Sequence, residues 1–351
     1  MNRLFRHIAM IILAGAILAG CAYDDAVKDL REQDNYSASL AIEFNNGLID
    51  KPLTRAASLL SDYSGTMGVW GWQKPDQYDE ERLFQNQEIA FDTTLGKWIY
   101  SPVKYWESHS SYRFYAYAPH SGSVPGVTAA IDSATHAISI NGITLQGCNT
   151  LVAGAPEAPA NFAQVDDVDW MLDRVGQSHT GITHSEVMFN MQHILAKLCV
   201  RVSRSNYFQA DSVVTVTVDS LKINGFVSQG DFTQSFDSLS IVRSQEWTLV
   251  DTMPRYTLNS AHNVSIPDSA QYILESLLVP QHTEDSQSVH IWYSIGNEGG
   301  YINHFHYVFR LDQAFGRFDT GCNYILSIVL GPDVITFDSG VSSWDNDSNT
   351  F

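Results

Sequence analysis

Four residues near the start of the chain carry its clearest chemistry. Leu18-Ala19-Gly20-Cys21 closes an apolar run that begins at Ile8 and follows a short basic segment with Arg3 and Arg6. Small residues ahead of a cysteine are what lipoprotein maturation acts on. The Cys21 thiol takes a diacylglycerol and its nitrogen an acyl chain such as palmitate, each buried methylene adding about 0.8 kcal/mol of anchoring. The apolar run falls well short of the roughly 20 residues that cross a bilayer, so residues 1–20 read as a signal peptide. Residues 21–37, with Asp24, Asp25, Asp29, Glu32 and Asp34, read as an acidic, solvated tether. The mature chain is expected to start at Cys21 and to work in the cell envelope or on its surface.

Other chemistry-bearing residues are weaker signals. His304 and His306 lie two apart, on one face of a strand, where a third ligand such as Asp312 or His290 would complete a divalent-metal site. A surface or interface histidine pair among Tyr301, Phe305 and Tyr307 is the simpler reading, and no metal is expected. No serine sits in a glycine-flanked elbow beside a base, and there is no phosphate-cradling glycine loop. Carboxylate pairs for glycoside hydrolysis are not singled out among 39 acidic residues. The chain is therefore expected to be no enzyme, with no catalytic residue and no cofactor. Trp70, Trp72, Trp98 and Trp106 offer two readings, a sugar-stacking platform or core aromatics, the second needing no ligand. Cys148, Cys199 and Cys322 are widely spaced, which leaves one disulfide or three buried thiols open.

The elements that position these residues read as strands. At 351 residues and 44% hydrophobic, the chain can bury ample core and favours two medium domains. Its net charge of −19, which becomes −21 once Arg3 and Arg6 leave, repels nucleic acid. Alternation of apolar and polar residues dominates, so the fold class is all-β. Leu40, Ile42 and Phe44 share one face of a first strand, and Val214, Val216 and Val218 one face of another. Further strands are expected at 112–117, 272–278, 289–293, 307–311, 324–330 and 334–337. From Val187 to Val202 the alternation shifts phase near His193. One bulged strand accounts for it, with a helix over 191–199 as the competing reading. Residues 147–161 read as a long loop, and a domain boundary is expected near 180–184.

An ordered set of motifs then becomes recognisable: Thr54-Arg55-Ala56, Gly68-Val69-Trp70-Gly71, Phe91-Asp92, Trp98-Ile99-Tyr100-Ser101-Pro102, Tyr105-Trp106 and Tyr112-Arg113-Phe114-Tyr115-Ala116-Tyr117-Ala118-Pro119. It continues with Asp169-Trp170-Met171, Val187-Met188-Phe189, His193-Ile194-Leu195-Ala196-Lys197-Leu198, Leu278-Val279-Pro280-Gln281, Gly321-Cys322-Asn323-Tyr324, Ile335-Thr336-Phe337 and Trp344. In this order, from about Ser39 to Trp344, the chain resembles the fimbrillin-like proteins, type V pilins of Gram-negative bacteria. The closing turn departs from the glycine-lysine-tyrosine type often found there, reading Thr320-Gly321-Cys322-Asn323-Tyr324.

The resemblance implies two transthyretin-like β-sandwich domains in tandem, at 38–184 and 185–351. It also implies a lipoprotein precursor held at the cell outer membrane through Cys21, and cleavage between Arg55 and Ala56. The Leu40-Ile42-Phe44 strand would then leave, and the next subunit would donate a strand. By position the donor is the C-terminal segment, with Val334, Ile335, Phe337, Val341 and Trp344 as candidates. The partners implied are other fimbrial subunits joined head to tail and an adhesion ligand on host or bacterial cells. The product is a surface fimbria supporting cell adhesion. The alternative is a non-polymerising surface lipoprotein that binds glycans or anchors a fimbria.

Overall fold

A computed structural model describes residues 40–49, 58–59, 65–146, 171–179, 186–209, 214–236, 242–253, 255–260, 263–332 and 335–343. The signal peptide, the tether, Cys21, Arg55, Ala56, Cys148, Val334, Trp344, the 147–161 loop and the 180–184 boundary lie outside them. The described chain is mostly β-strand, arranged in several sheets.

The first sheet contains β1 (Phe44–Ile49), β2 (Ser58–Leu59), β3 (Thr66–Pro75), β4 (Glu81–Asp92), β5 (Lys97–Ile99), β6 (Ser110–Ala118), β9 (Met171–His179) and β10 (Val187–His193). Its order is β10-β9-β6-β3-β4-β5-β1-β2, and β1 also pairs with β10, so the sheet closes on itself through β1. Closure removes the open edges that a flat sheet would present. Inside the ring Ile42, Phe44, Met67, Val69, Phe84, Ile89, Trp98, Phe114, Val187 and Phe189 form one apolar cluster.

The central strands β3 and β6 are buried on both faces, which explains their near-continuous apolar sequences. Phe114 and Ala116 point into the ring. Trp70, Trp72, Tyr115 and Tyr117 point the other way, into a second and larger core. There they meet Ile138, Ile140 and Phe232 of a sheet ordered β14-β13-β8-β7, built from β7 (Thr128–Ile131), β8 (Ile138–Thr144), β13 (Gln229–Phe236) and β14 (Val242–Leu249).

The same core is shared by two further sheets. One is ordered β17-β11-β22-β23, from β11 (Ala196–Arg204), β17 (Gln271–Leu278), β22 (Cys322–Leu330) and β23 (Thr336–Ser343). The other runs β15-β12-β19-β20 with β16 also on β12, from β12 (Val214–Phe226), β15 (Tyr256–Asn259), β16 (Val264–Ile266), β19 (Ser288–Asn297) and β20 (Ile302–Arg310). Alternation is clean here: Val216 and Val218 are buried with Ile291 and Tyr293, against Leu198, Val200, Leu326 and Ile328. A short pair, β18 (Gln281–His282) with β21 (Arg317–Phe318), completes the strands.

The segment 187–202 differs from expectation. It is neither one bulged strand nor a helix, but two strands in different sheets, β10 in the ring and β11 beyond it. The chain passes between them at Ile194 and Leu195, both fully buried. Two successive buried side chains are what produce the phase shift in the sequence, because the connection is wrapped by core on both sides.

Candidate functional site

The residues of the first strand meet at the seam of the ring. Ile42 is 0% and Phe44 2% exposed, whereas Leu40 is half-buried in the turn that leads in. Phe44 lies opposite Val187 of β10 in parallel and opposite Trp98 of β5 in antiparallel, so one residue bridges both sides of the seam. Its ring stacks on Phe189 at 5.9 Å and meets Phe84, Tyr100 and Phe114 edge-on at 5.7, 5.6 and 6.0 Å. Offset and edge-on geometries of this kind are those that aromatic quadrupoles favour.

Backbone groups hold the strand along both flanks. The Ile42 amide donates to the Lys104 carbonyl and the Trp106 amide to the Leu40 carbonyl, each at 2.8 Å, and the Val187 amide donates to the Glu43 carbonyl at 2.8 Å. The Tyr100 hydroxyl adds a bond to the Ile42 carbonyl at 2.8 Å. Burial pushes the Tyr100 phenol up to about 12, so it stays a donor at any physiological pH. Outside the ring Glu43 pairs with Lys97 at 3.2 Å, an exposed ion pair of little energetic weight. Sequence reasoning missed Tyr100, Lys104 and Trp106 as partners of this strand. Their aromatic-proline setting was visible, but nothing local connects it to residues 40–44.

The candidate donor segment lies in a different sheet. Ile335 and Phe337 are half-buried and Val341 is 60% exposed, on β23 at the edge of its sheet. Among the described residues the strand pairs with β22 on one side only, from Cys322 opposite Ser343 to Val329 opposite Thr336. Phe337 stacks flat on Phe309 of β20 at 4.5 Å, so the edge strands of the two sheets touch. The first strand and the donor segment are not brought together within one chain.

The remaining candidates resolve into structural roles. Trp70, Trp72, Trp98 and Trp106 are all buried, so the sugar-stacking reading is overturned for them. His306 stacks on Trp292 at 4.4 Å with His290 at 5.6 Å, while His304 approaches Asp219 at 3.5 Å. Asp312 is turned aside by Arg310, and among the described residues no three His, Cys, Asp or Glu side chains converge as metal ligands. The His290 imidazole is held below its ordinary range by burial, reinforced by His306 and Lys222. Cys199 is buried with its thiol donating to the Asn323 side-chain oxygen at 3.5 Å, and Cys322 is half-buried. Burial pushes the Cys322 thiol up, away from nucleophilic use.

No curated protein matches the chain in sequence. Among solved structures, a fimbrial protein from Bacteroides vulgatus aligns at 12% identity with a TM-score of 0.50, over 87% of this chain and 99% of that one. A candidate cell adhesion protein from Bacteroides uniformis aligns at 16% identity and TM-score 0.48, over 87% and 98%. The tip fimbrial protein Mfa3 from Porphyromonas gingivalis aligns at 8% and 0.35, over 87% and 100%. At 12% identity the likeness to the Bacteroides vulgatus protein speaks only of fold. The fimbrillin-like family model, by contrast, matches residues 54–344, most of the chain. With an all-β fold, a strand-closed ring and that match in hand, the chain belongs to the fimbrillin-like family, whose members are structural proteins rather than enzymes.

Proposed function

We propose that this chain is a subunit of a surface fimbria supporting cell adhesion, exported as a lipoprotein through Cys21 and assembled by strand exchange. Cleavage between Arg55 and Ala56 releases β1, and a strand from the C-terminal segment of the next subunit takes its place. The observation that carries this reading is the position of β1. Among the described residues it alone joins β5 to β10, and β1 with the residues 40–43 that lead into it is held by backbone hydrogen bonds and by the buried side chains of Ile42 and Phe44. Losing it opens the ring and exposes apolar pockets and unpaired backbone groups, which an incoming strand satisfies. The two side chains represent roughly 3–6 kcal/mol of gross burial.

Two transthyretin-like sandwich domains in tandem belong to the same proposal, although the two apolar clusters each draw residues from both sides of position 184, with Val187 and Phe189 in the ring and Ile138 and Ile140 in the larger core. Head-to-tail addition is heterologous and open, so it yields a filament.

The test is the N-terminus of protein recovered from the cell surface, by intact mass and terminal sequencing. A start at Ala56 in polymeric material is the expected result. A lipidated Cys21 on all recovered protein would sink the exchange mechanism and leave an anchor or a tethered surface lipoprotein.

A further inference from the structure

Strand exchange, as proposed above, leaves the register of the incoming strand open, and the inference that follows rests on that reading. The seam offers little sequence discrimination along most of its length, because Lys104, Trp106 and Val187 contribute backbone bonds that any residue can match. Among the residues of this strand whose side chains are described, discrimination falls to two inward positions, Ile42 and Phe44, two residues apart. The pattern Ile-X-Phe occurs three times in the chain, at 42–44, 89–91 and 335–337. The second copy is locked inside the ring on β4, which pairs with β3 on one side and β5 on the other. The third leads into β23, which among the described residues is an edge strand with one unpaired side.

We infer that Ile335 and Phe337 of one copy fill the pockets that Ile42 and Phe44 vacate in the next, with Thr336 where Glu43 stood. The partner of the opened ring is thus a second copy of this chain in one fixed register. The two pairs run in the same chain order, so the incoming strand lies parallel to β10 and antiparallel to β5, as β1 does. Thr336 is exposed in its own sheet and replaces a side chain that points outward from the ring. Ile335 and Phe337 exchange half-burial at a sheet edge for the full burial recorded at Ile42 and Phe44. Backbone bonds lost to β22 are replaced by those of the seam, which leaves side-chain burial to set the direction. One position fits less well: Asp338 takes the place of Asn45, whose side chain bonds to Glu186, so two carboxylates meet and the apolar pair must hold the register.

A cysteine register scan on the full chain tests this. Phe44 opposite Trp98 in an antiparallel pair puts Glu43 opposite Ile99. Ile99→Cys is therefore combined in turn with Val334→Cys, Thr336→Cys and Asp338→Cys. Each variant is digested with an arginine-specific protease until the first strand is released, then analysed without reductant beside Ile99→Cys alone. Covalent multimers through position 336, reversed by reductant and about tenfold or more above positions 334 and 338, are the expected result. Multimers formed chiefly through 334 or 338, or association with no cross-link at any of the three, would overturn the register while leaving strand exchange intact. Absence of association by light scattering, in the variants and in the unsubstituted chain alike, would overturn both. Phe337→Ala adds a second readout, a loss of association of more than tenfold, and the scan covers the case in which that variant merely loosens β23.

Discussion

The strands β1 and β23 are built from similar residues and held in opposite ways. β1 closes a ring, with Phe44 and, just ahead of the strand, Ile42 wholly inside and neighbours on both flanks. Among the described residues β23 hangs on β22 alone, with Phe337 and the preceding Ile335 half-buried and Val341 largely exposed. The same isoleucine and phenylalanine therefore stabilise one place much more than the other, since apolar stabilisation scales with area removed from water. A strand that is cheap to detach and a seam that rewards occupation are complementary properties, and chain location alone separates them.

Substitution can break that comparison directly. Phe44→Ala is expected to lower stability by about 3–5 kcal/mol, as for a buried aromatic stripped from a closed core, read by chemical denaturation. A cost below about 1 kcal/mol would mean that the seam is loosely packed. Gly68→Ala comes next. A Cβ there would stand 2.2 Å from the Tyr117 ring, itself stacked on Trp70 at 4.9 Å and tied through its hydroxyl to Asn86 at 2.7 Å. Overpacking of that kind costs about 1–3 kcal/mol, and a melting temperature unchanged from the parent would show that the ring yields.

Phe337→Ala should cost about 1–2 kcal/mol, from half-burial and the stack on Phe309. If it matches Phe44→Ala in the same denaturation series, the asymmetry between the strands is gone. Gly340→Ala, on β23 with open space around it, should change stability by no more than about 0.5 kcal/mol. A larger loss would reveal a neighbour on that edge.

The finest readout is spectroscopic. Tyr100, pushed up to about 12 chiefly by burial beside β1, ionises late in the intact ring. Its folded pKa is raised, so the stability it contributes is present below about 10 and is lost as pH climbs through 12. Departure of β1 exposes the phenol and should move one tyrosine of the ultraviolet titration down toward 10. An unchanged titration after strand release would place Tyr100 in a pocket that survives without β1.

Much of this was legible residue by residue. Alternation placed strands at 112–117, 272–278, 289–293 and 324–330, all of which lie within observed strands, and it put Val216 and Val218 on a buried face. It ran short at 307–311, where β20 begins earlier, at Ile302, and its inward Phe305, Tyr307 and Phe309 are only half-buried at the edge. The crossing at Ile194 and Leu195 was read as a bulge because a phase shift looks the same whether a strand bends or ends. The four tryptophans were left between sugar platform and core, and burial decided for the core.

What the sequence by itself determined is therefore the all-β class, the inward faces, the Ile-X-Phe pairs and the family pattern. These are local properties, set by period-two geometry and by the order of residues along the chain. Only the tertiary structure decided that Phe44 sits opposite Val187 and that a single strand closes the ring. It also decided that one Ile-X-Phe is sealed while another waits at an edge. The reason is that a strand's partner is chosen across long sequence separations, by backbone bonds identical for every residue and by pockets assembled from distant segments. No local pattern carries that information.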